Sequence, residues 1–414
     1  MDRPLRLVLL GGGHAMLPSL AKAQAWTDAG VDVTLVDPQR WLYYSGMVPE
    51  YLGGVYAAAD IRIDIAELAE RAGASVVSSA ATALDPDRRV VTTADGTECP
   101  FDLLAVDVGA VNPGVPTGAV ATKPISRTRE LAPHLDRTLQ DPAAHFRLTI
   151  VGGGAAGTEI AMNVTGRFQG AGRLDDLELT VVEQANALLP GFPDGLQSHV
   201  YNRLRERGAS IRLGATVQRV ECADRERHVH MDRSYDSPLL ADAVLWATGT
   251  VGPAFLQESG LSTDDRGFLH VTPQLRTPSH PRIFAAGDCA TLLDRPLPKV
   301  GVHAVKQGPD VRTNLDRTLR HLTEHNALPT SPALVSFRPY PVAPLILSTG
   351  TRNGLWTAGG FWAAHPWLLR LKHGIDRHWI RRYAPVQWGD AGWRDLLGGE
   401  AAATTARPRH RVSA

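Results

Sequence analysis

Arg147-Leu-Thr-Ile-Val-Gly152-Gly-Gly154-Ala-Ala-Gly157 is the stretch that decides the fold of this chain. An apolar strand enters a G-x-G-x-x-G turn made by Gly152, Gly154 and Gly157, and a helical stretch follows. A dinucleotide site needs this pattern because the backbone must turn sharply, approach the pyrophosphate and point a helix N-terminus at it. The three glycines are therefore predicted to bind a dinucleotide.

A second copy of the pattern lies near the N-terminus, and Met16 stands where its third small residue is usual. Each copy continues through a helical stretch into an apolar strand that ends in an acid, Asp37 in the first and Glu183 in the second. A carboxylate there can accept ribose hydroxyls and repels a 2′-phosphate, so Glu183 favours NADH over NADPH. The candidate contacts of the first copy are Gly11, Gly13, His14, Ala15 and Asp37.

A later element is also repeated, since residues 101–110 parallel residues 241–250 as strands that enter turns at Gly109 and Gly249. Apolar strands that alternate with helices indicate parallel sheets covered on both faces. A further strand, residues 282–288, belongs with the first copy if the second copy is an insertion. The predicted fold is α/β, with two Rossmann-like dinucleotide-binding domains, one inserted into the other, and a C-terminal α+β segment.

Composition shifts and Gly/Pro-rich crossings place the domain boundaries. The first domain is expected at residues 1–115 and 268–345, and the inserted domain at 116–267. The C-terminal segment is expected at 346–395, with a disordered tail at 396–414.

Overall composition narrows the classes of function. The 414 residues carry 43 basic and 43 acidic side chains, which gives no electrostatic footprint for nucleic acid. Three widely spaced cysteines argue against a disulfide framework and fit a reducing cytoplasm. No metal site is expected, because His321 and His325 have no third ligand nearby in sequence.

With these motifs in place, the chain resembles the two-dinucleotide-domain flavoproteins of the pyridine nucleotide-disulfide oxidoreductase superfamily, over roughly residues 5–383. Ile283-Phe-Ala-Ala-Gly287-Asp288-Cys-Ala is similar to the second FAD element of that family. The resemblance implies that Asp288 holds a ribitol or pyrophosphate oxygen. It further implies that the first domain binds FAD and the inserted domain binds NAD(P)H.

The branch of the superfamily depends on what accepts the electrons. The disulfide reductases carry a C-x-x-C or C-x₄-C pair, which this sequence lacks, and Cys289 has no partner cysteine. The pattern therefore resembles the type II NADH dehydrogenases, which reduce quinones. A closer resemblance is to the flavin domain fused to selenide, water dikinase, through residues 43–49 (with candidate contacts Ser45 and Gly46), 299–308 and 375–383.

The resemblance also implies catalytic candidates. Residues 303–307 would begin a helix aimed at the flavin, where Lys306 stabilises negative charge on the reduced ring and Gln307 faces the ring or the quinone. His303 is a candidate proton donor, and Glu159 would face the nicotinamide. Ordinary structural roles stay open for all four, as packing, surface or helix-start residues.

Pro366–Tyr383 is predicted to be a helix with an apolar stripe and a basic surround. The stripe is Leu368, Leu371, Ile375 and Trp379, and the cations are Arg370, Lys372, Arg377, Arg381 and Arg382. Such a helix either lies on a membrane surface or packs within the protein or a homodimer. The expected location is the cytoplasm, with peripheral contact at the inner face of the membrane as one option.

Three functions are compatible with these features. The first is hydride transfer from NAD(P)H to FAD and on to a quinone-like or other diffusible acceptor. The second is a sulfur- or selenium-linked flavin oxidoreductase, and the third is a non-catalytic FAD/NADH-binding redox sensor.

Overall fold

The computed structural model describes residues 3–224, 226–232 and 237–384. They form two compact units. Unit 1 takes in the described residues of Met1–Tyr44, Arg62–Gly114 and Gly249–Ala343, and unit 2 takes in those of Ser45–Ile61, Val115–Thr248 and Pro344–Ala414. The predicted tail at 396–414 lies outside the described residues.

The strands of the described residues, in chain order, are β1 (Arg6–Leu10), β2 (Asp32–Val36), β3 (Trp41–Tyr43), β4 (Arg62–Asp64), β5 (Ser75–Val77), β6 (Ala81–Asp85), β7 (Val90–Thr93), β8 (Glu98–Pro100), β9 (Leu103–Val106), β10 (Ala119–Ala121), β11 (Phe146–Val151), β12 (Leu177–Glu183), β13 (Ser210–Leu213), β14 (Val217–Ala223), β15 (Glu226–Met231), β16 (Leu239–Ala241), β17 (Ala243–Trp246), β18 (Leu269–Val271), β19 (Ile283–Ala285), β20 (Ala290–Leu292), β21 (Leu345–Ser348), β22 (Gly354–Ala358) and β23 (Phe361–His365).

The α-helices of the same residues are α1 (Leu17–Leu20), α2 (Gln24–Asp28), α3 (Val48–Leu52), α4 (Ile65–Arg71), α5 (Ala132–Gln140), α6 (Ala155–Gly170), α7 (Asp194–Glu206), α8 (Ala254–Glu258), α9 (Gly301–His325) and α10 (Pro366–Arg381).

Unit 1 is built on a parallel five-stranded sheet in the order β19-β9-β1-β2-β5. Leu7–Leu10 of β1 and all of β9 are apolar and buried, as expected for a parallel sheet that is covered on both faces. β19 comes from late in the chain and pairs in parallel with β9. This pairing confirms that residues 282–288 belong with the first glycine turn.

Unit 2 repeats this design in a parallel sheet of order β10-β17-β11-β12-β13. The succession β9-β1-β2-β5 of unit 1 corresponds to β17-β11-β12-β13. Each unit also holds an antiparallel three-stranded ladder, β6-β7-β8 in unit 1 and β14-β15-β16 in unit 2. The repeated sequence thus corresponds to a repeated structure, which confirms the α/β prediction.

The unit boundaries differ from the predicted domain boundaries in three places. The predicted C-terminal segment is not separate, because its described residues belong to unit 2. Residues 45–61 belong to unit 2, where Arg167 of α6 donates a hydrogen bond to the Leu52 carbonyl and Lys372 of α10 donates one to the Gly46 carbonyl. Residues 249–267 belong to unit 1, where Val251 pairs with Val111. The unit to which each of these two segments belongs is therefore set by contacts between residues that lie far apart in the sequence.

The C-terminal part of unit 2 is an antiparallel sheet, β21-β22-β23, followed by α10. The helix extends from Pro366 to Arg381, close to its predicted range. Two of the five cations predicted to surround the apolar stripe, Lys372 and Arg377, are buried. Conversely, Ile375 of the stripe is exposed. Within the described part of the chain, no helix has the length and apolar character needed to cross a membrane.

Candidate nucleotide-binding sites

The first glycine turn, in unit 1, follows β1. Gly11 has a φ of +86°, and a Cβ there would overlap the backbone carbonyl of Asp107. Only glycine lets the turn pass so close to the neighbouring strand. His14 lies against Tyr44, with ring centroids 5.6 Å apart.

Asp37 ends the strand beside this turn, as predicted, and holds the turn in place. Its carboxylate accepts hydrogen bonds from the amides of Gly12 and Gln39, both at 2.8 Å. Burial raises the pKa of Asp37, and these two hydrogen bonds oppose the rise. Its predicted contact with a ribose stays a prediction.

Asp107 is a further acid of this region, and our sequence analysis did not single it out. It follows β9, is buried, and its Oδ2 accepts hydrogen bonds from the amides of Ala15 at 2.7 Å and Met16 at 3.1 Å. Comparing the two repeats would have revealed it, because Ala247 occupies the corresponding position in the second copy. The acid is therefore an addition to the shared framework.

The late turn after β19 lies in the same unit. Gly287 has a φ of +70°, and its amide donates a 2.7 Å hydrogen bond to Oε1 of Gln307 on α9. The predicted catalytic Gln307 is thus engaged in positioning the turn that carries Asp288. Cys289 next to it is buried, and burial raises the pKa of its thiol to about 12. This sulfur is not a thiolate at neutral pH.

A small recess lies beside the late turn. Its lining includes Asp288, Lys299, His303 and Gln307. The predicted helix start is confirmed, since α9 begins at Gly301. Burial, together with Lys306, lowers the pKa of His303, so its ring is neutral at pH 7. Its buried Nδ1 has no hydrogen-bond partner among the described residues, which fits a site that receives a polar ligand.

Lys306 and Gly109 also lie in unit 1. The Lys306 ammonium lies 3.7 Å from the centroid of the Tyr340 ring, a cation–π contact. Gly109 follows β9 in the left-handed region, with a φ of +71°. Gly249 is the first residue of the last chain segment of unit 1, Gly249–Ala343, and its carbonyl accepts a 3.5 Å hydrogen bond from the Asn112 side chain.

The second glycine turn, in unit 2, is the more regular one. Gly152 has a φ of +110°, and a Cβ there would overlap the Ala247 carbonyl. A Cβ on Gly157 would overlap the Gly152 carbonyl. α6 begins at once, at Ala155, and no side chain caps it at Gly154. The first-turn amides and the helix dipole could therefore hold an anion.

Glu183 ends β12 beside this turn, as predicted. Its carboxylate accepts hydrogen bonds from the amides of Gly153 at 2.6 Å and Ala185 at 2.8 Å. This arrangement matches that of Asp37 in unit 1. The two acids therefore occupy the same place in the two repeats.

Glu159 projects from the second turn of α6 towards β21. Its Oε1 accepts hydrogen bonds from the backbone amide of Ser348 at 2.7 Å and from the Ser348 hydroxyl at 2.9 Å. Burial raises the pKa of Glu159 to about 7, while the positive charge of Lys372 opposes the rise. This carboxyl can therefore gain or lose a proton near neutral pH.

A buried charge cluster of unit 2 escaped the sequence analysis. We use "charge cluster" for Glu50, Lys372, His373 and Asp376. The Lys372 ammonium donates to the Gly46 carbonyl at 2.6 Å, to Glu50 at 2.6 Å and to Asp376 at 2.7 Å. The cluster fixes the turn that contains the predicted contacts Ser45 and Gly46. The i, i+4 spacing of Lys372 and Asp376 was its one visible signal.

No group of His, Cys, Asp and Glu side chains in the described ranges could hold a metal ion. The three cysteines, all described, are free thiols, with Cys99 and Cys289 buried and Cys222 exposed.

Comparison with known proteins places these features in a family. The model of the pyridine nucleotide-disulphide oxidoreductase family matches residues 5–308. A type II NADH:quinone oxidoreductase of Staphylococcus aureus is 25% identical over 337 residues, covering 76% of this chain and 82% of that protein.

Solved structures agree on the fold. NDH2 of Plasmodium falciparum in complex with NADH superposes with a TM-score of 0.73 at 12% identity, covering 94% of this chain and all of that one. The sulfide:quinone oxidoreductase of Aquifex aeolicus superposes with a TM-score of 0.72 at 15% identity, covering 92% of each chain.

The family match spans both glycine turns and the late turn at Asp288, so the predicted superfamily is confirmed. The chain belongs to the pyridine nucleotide-disulphide oxidoreductase family and is an NAD(P)H-dependent flavin oxidoreductase.

Proposed function

We propose that this protein transfers a hydride from NADH to FAD and passes the electrons directly to a quinone-like acceptor. The observation that carries the proposal is the absence of a thiol relay beside two nucleotide turns. Among the three cysteines none is paired, and Cys289, the one next to the late turn, is a buried thiol. The similarity to a type II NADH:quinone oxidoreductase supports the same acceptor class.

FAD is proposed to bind to unit 1. Gly11 lets the first turn pass close to the Asp107 backbone, and we propose that this turn binds the pyrophosphate. Asp288 would accept a hydroxyl of the cofactor, and Nδ1 of His303, which has no partner among the described residues, offers a further polar contact. When bound, FAD would supply the ring that accepts the hydride. The N-terminus of α9 and the Lys306 ammonium would stabilise negative charge on the reduced cofactor.

NADH is proposed to bind to unit 2, with its pyrophosphate at Gly152, Gly154 and Gly157. Glu183 would accept ribose hydroxyls and repel the 2′-phosphate of NADPH. Quinone reduction also consumes protons. Glu159 is the proposed source, because its carboxyl titrates close to neutral pH and the Ser348 hydrogen bonds fix its position.

Anaerobic titration with NADH tests the proposal. The purified protein should be yellow, should bleach within the mixing time of NADH addition, and should regain its colour on addition of a short-chain quinone. Bleaching by sulfide and not by NADH would instead indicate the sulfur-linked alternative. Tight NADH binding without turnover to any acceptor would indicate a redox sensor.

We also propose that unit 2 contacts a membrane surface, where a lipid-soluble quinone resides. Phe361, Trp367 and Ile375 are 76%, 56% and 46% exposed. The exposed cation Arg370 lies on the same helix as Trp367 and Ile375, and the exposed Arg382 directly follows that helix. Apolar side chains with neighbouring cations favour an anionic bilayer surface.

Liposome co-sedimentation tests this surface. Replacing Phe361 and Trp367 with serine should release the protein from vesicles that contain anionic lipid. Leu240→Ser is the matched control, because Leu240 is a similarly exposed residue of β16 in the same unit, and this variant should still sediment. Equal sedimentation of both variants would refute the assignment.

A further inference from the structure

The further inference concerns Asp107, the acid that lies beneath both nucleotide turns of unit 1. Its Oδ2 accepts the amides of Ala15 and Met16, which belong to the first turn. A Cβ on Gly13 or on Gly287 would overlap the Asp107 carboxyl group. The first turn and the late turn therefore both require glycine where they close on this one side chain.

Unit 2 shows that the fold does not need an acid at this position. The Asp107 amide donates to the Leu10 carbonyl at 2.8 Å, and the Ala247 amide donates to the Val151 carbonyl at 2.8 Å. Each donor follows the strand that pairs with the strand entering the glycine turn, β9 beside β1 and β17 beside β11, so the two residues are structurally equivalent. An alanine completes the same turn in unit 2, which indicates that the carboxyl of Asp107 has a role beyond folding.

The acid also changes how the turn presents its amides. In unit 2 the helix starts directly after the glycine turn, at Ala155, with no side-chain cap. In unit 1 the helix starts only at Leu17, and Asp107 accepts the two preceding amides. An anion that binds at the first turn would therefore lie near amides that already donate hydrogen bonds to the Asp107 carboxyl.

Negative charge accumulates around this carboxyl. The negative charges of Asp37, at the end of β2, and of Asp288, after β19, repel the charged form of Asp107. The charge of Asp107 in turn raises the pKa of the Cys289 thiol. Lys299 and His303 interact with Asp288. Burial, reinforced by the two aspartates, raises the pKa of Asp107 to about 8 despite its two amide hydrogen bonds. A dinucleotide pyrophosphate would bring two further negative charges.

We propose that unit 1 binds FAD with the carboxyl of Asp107 in its neutral form, so that in alkaline solution the binding of FAD takes up one proton, which passes from solvent to the carboxylate of Asp107. The neutral carboxyl keeps Oδ2 as the acceptor for the turn amides and removes its repulsion of the pyrophosphate. This inference rests on the proposed binding of FAD to unit 1.

The test measures FAD binding to the full-length protein after removal of its flavin. Quenching of flavin fluorescence gives the Kd between pH 6.5 and 9.5. The Kd of the wild-type protein should stay constant below the pKa of Asp107 and rise by up to about tenfold per pH unit above it. Asp107→Asn and Asp107→Ala should remove this pH dependence.

Asp32→Asn is the matched control, because Asp32 is an exposed acid at the opposite end of the same sheet. This variant should keep the wild-type pH dependence. Calorimetry of the wild-type protein at pH 9, in two buffers with different ionisation enthalpies, should show an uptake approaching one proton per FAD. This measurement does not depend on the folding of any variant.

A wild-type Kd that does not change with pH, or FAD binding without proton uptake at pH 9, would overturn the role of Asp107 while leaving the proposed function intact. A protein that binds no FAD at any pH would instead overturn the proposed function.

Discussion

Lys372→Met probes the buried charge cluster of unit 2. Methionine preserves most of the length of the side chain but removes the ammonium, which donates to Glu50, to Asp376 and to the Gly46 carbonyl. The two carboxylates are 1% and 5% exposed, so water cannot replace the lost cation. Removing one partner of a buried ion pair costs about 3–5 kcal/mol. We expect unit 2 to lose stability by this amount.

Thermal unfolding, followed by circular dichroism, measures the loss. A domain of 150–250 residues loses about 2–4 °C per kcal/mol, so the Tm of unit 2 should fall by about 6–20 °C. Arg370→Met is the matched control, since Arg370 is exposed on the same helix. Its effect on stability should stay within about 0.5 kcal/mol.

The dependence on pH gives a second reading of the same cluster. Although burial alone would raise it, Lys372 and His373 hold the pKa of Glu50 at about 2, below its usual 4.5. The stabilisation is therefore complete above pH 4.5 and is lost as the pH falls towards 2. The difference between the wild type and Lys372→Met should shrink over that interval. A Tm loss below about 2 °C at pH 7 would refute the burial and pairing of these groups.

Three other outcomes follow from the described geometry. Glu183→Gln should raise kcat/KM for NADPH relative to NADH by about tenfold, which corresponds to about 1.4 kcal/mol. Glu178→Gln, at an exposed position of the same strand, should leave this ratio unchanged. An unchanged ratio in the Glu183 variant would remove Glu183 from the ribose site. A maleimide should label one thiol per native chain, at exposed Cys222, and three after denaturation; labelling of more than one native thiol would contradict the burial of the others. Because the pKa of Glu159 is raised to about 7, its stabilising contribution is complete below pH 4.5 and is lost as the pH rises through 7. Urea titrations should show that Glu159→Gln abolishes this fall in the free energy of unfolding with pH. An unaltered fall would assign the pH dependence to another group.

The repeated framework could be predicted from sequence because its determinants are local. Gly152 and Gly157 stand where only a residue without a Cβ fits, and the apolar strands before them have the continuous pattern of a buried parallel sheet. The acids Asp37 and Glu183 follow their turns by similar distances along the chain. Each of these signals lies within one βαβ unit.

The charge cluster could not be predicted in the same way. The spacing of residues along α10 placed Lys372 in a basic surround of the apolar stripe, but it did not show that Lys372 is buried, with its charge balanced by the carboxylate of Glu50 more than 300 residues earlier. Helical periodicity predicts which residues lie on the same face of a helix, but it does not predict which other part of the protein packs against that face. Asp107 was missed for a related reason, since its strand pattern alone gives no hint of the two turns that close on it.

The discontinuous layout of the two units has a consequence for biosynthesis. The main sheet of unit 1 is incomplete until β19 has been made, and the turn at residues 45–61 of unit 2 lacks its ion-pair partners until α10 has been made. Chains emerge from the ribosome N-terminus first. Neither unit 1 nor unit 2 can therefore reach its final packing while the ribosome is still translating the middle of the chain. A nascent chain stalled before residue 366 would leave the Glu50 carboxylate without the ammonium of Lys372.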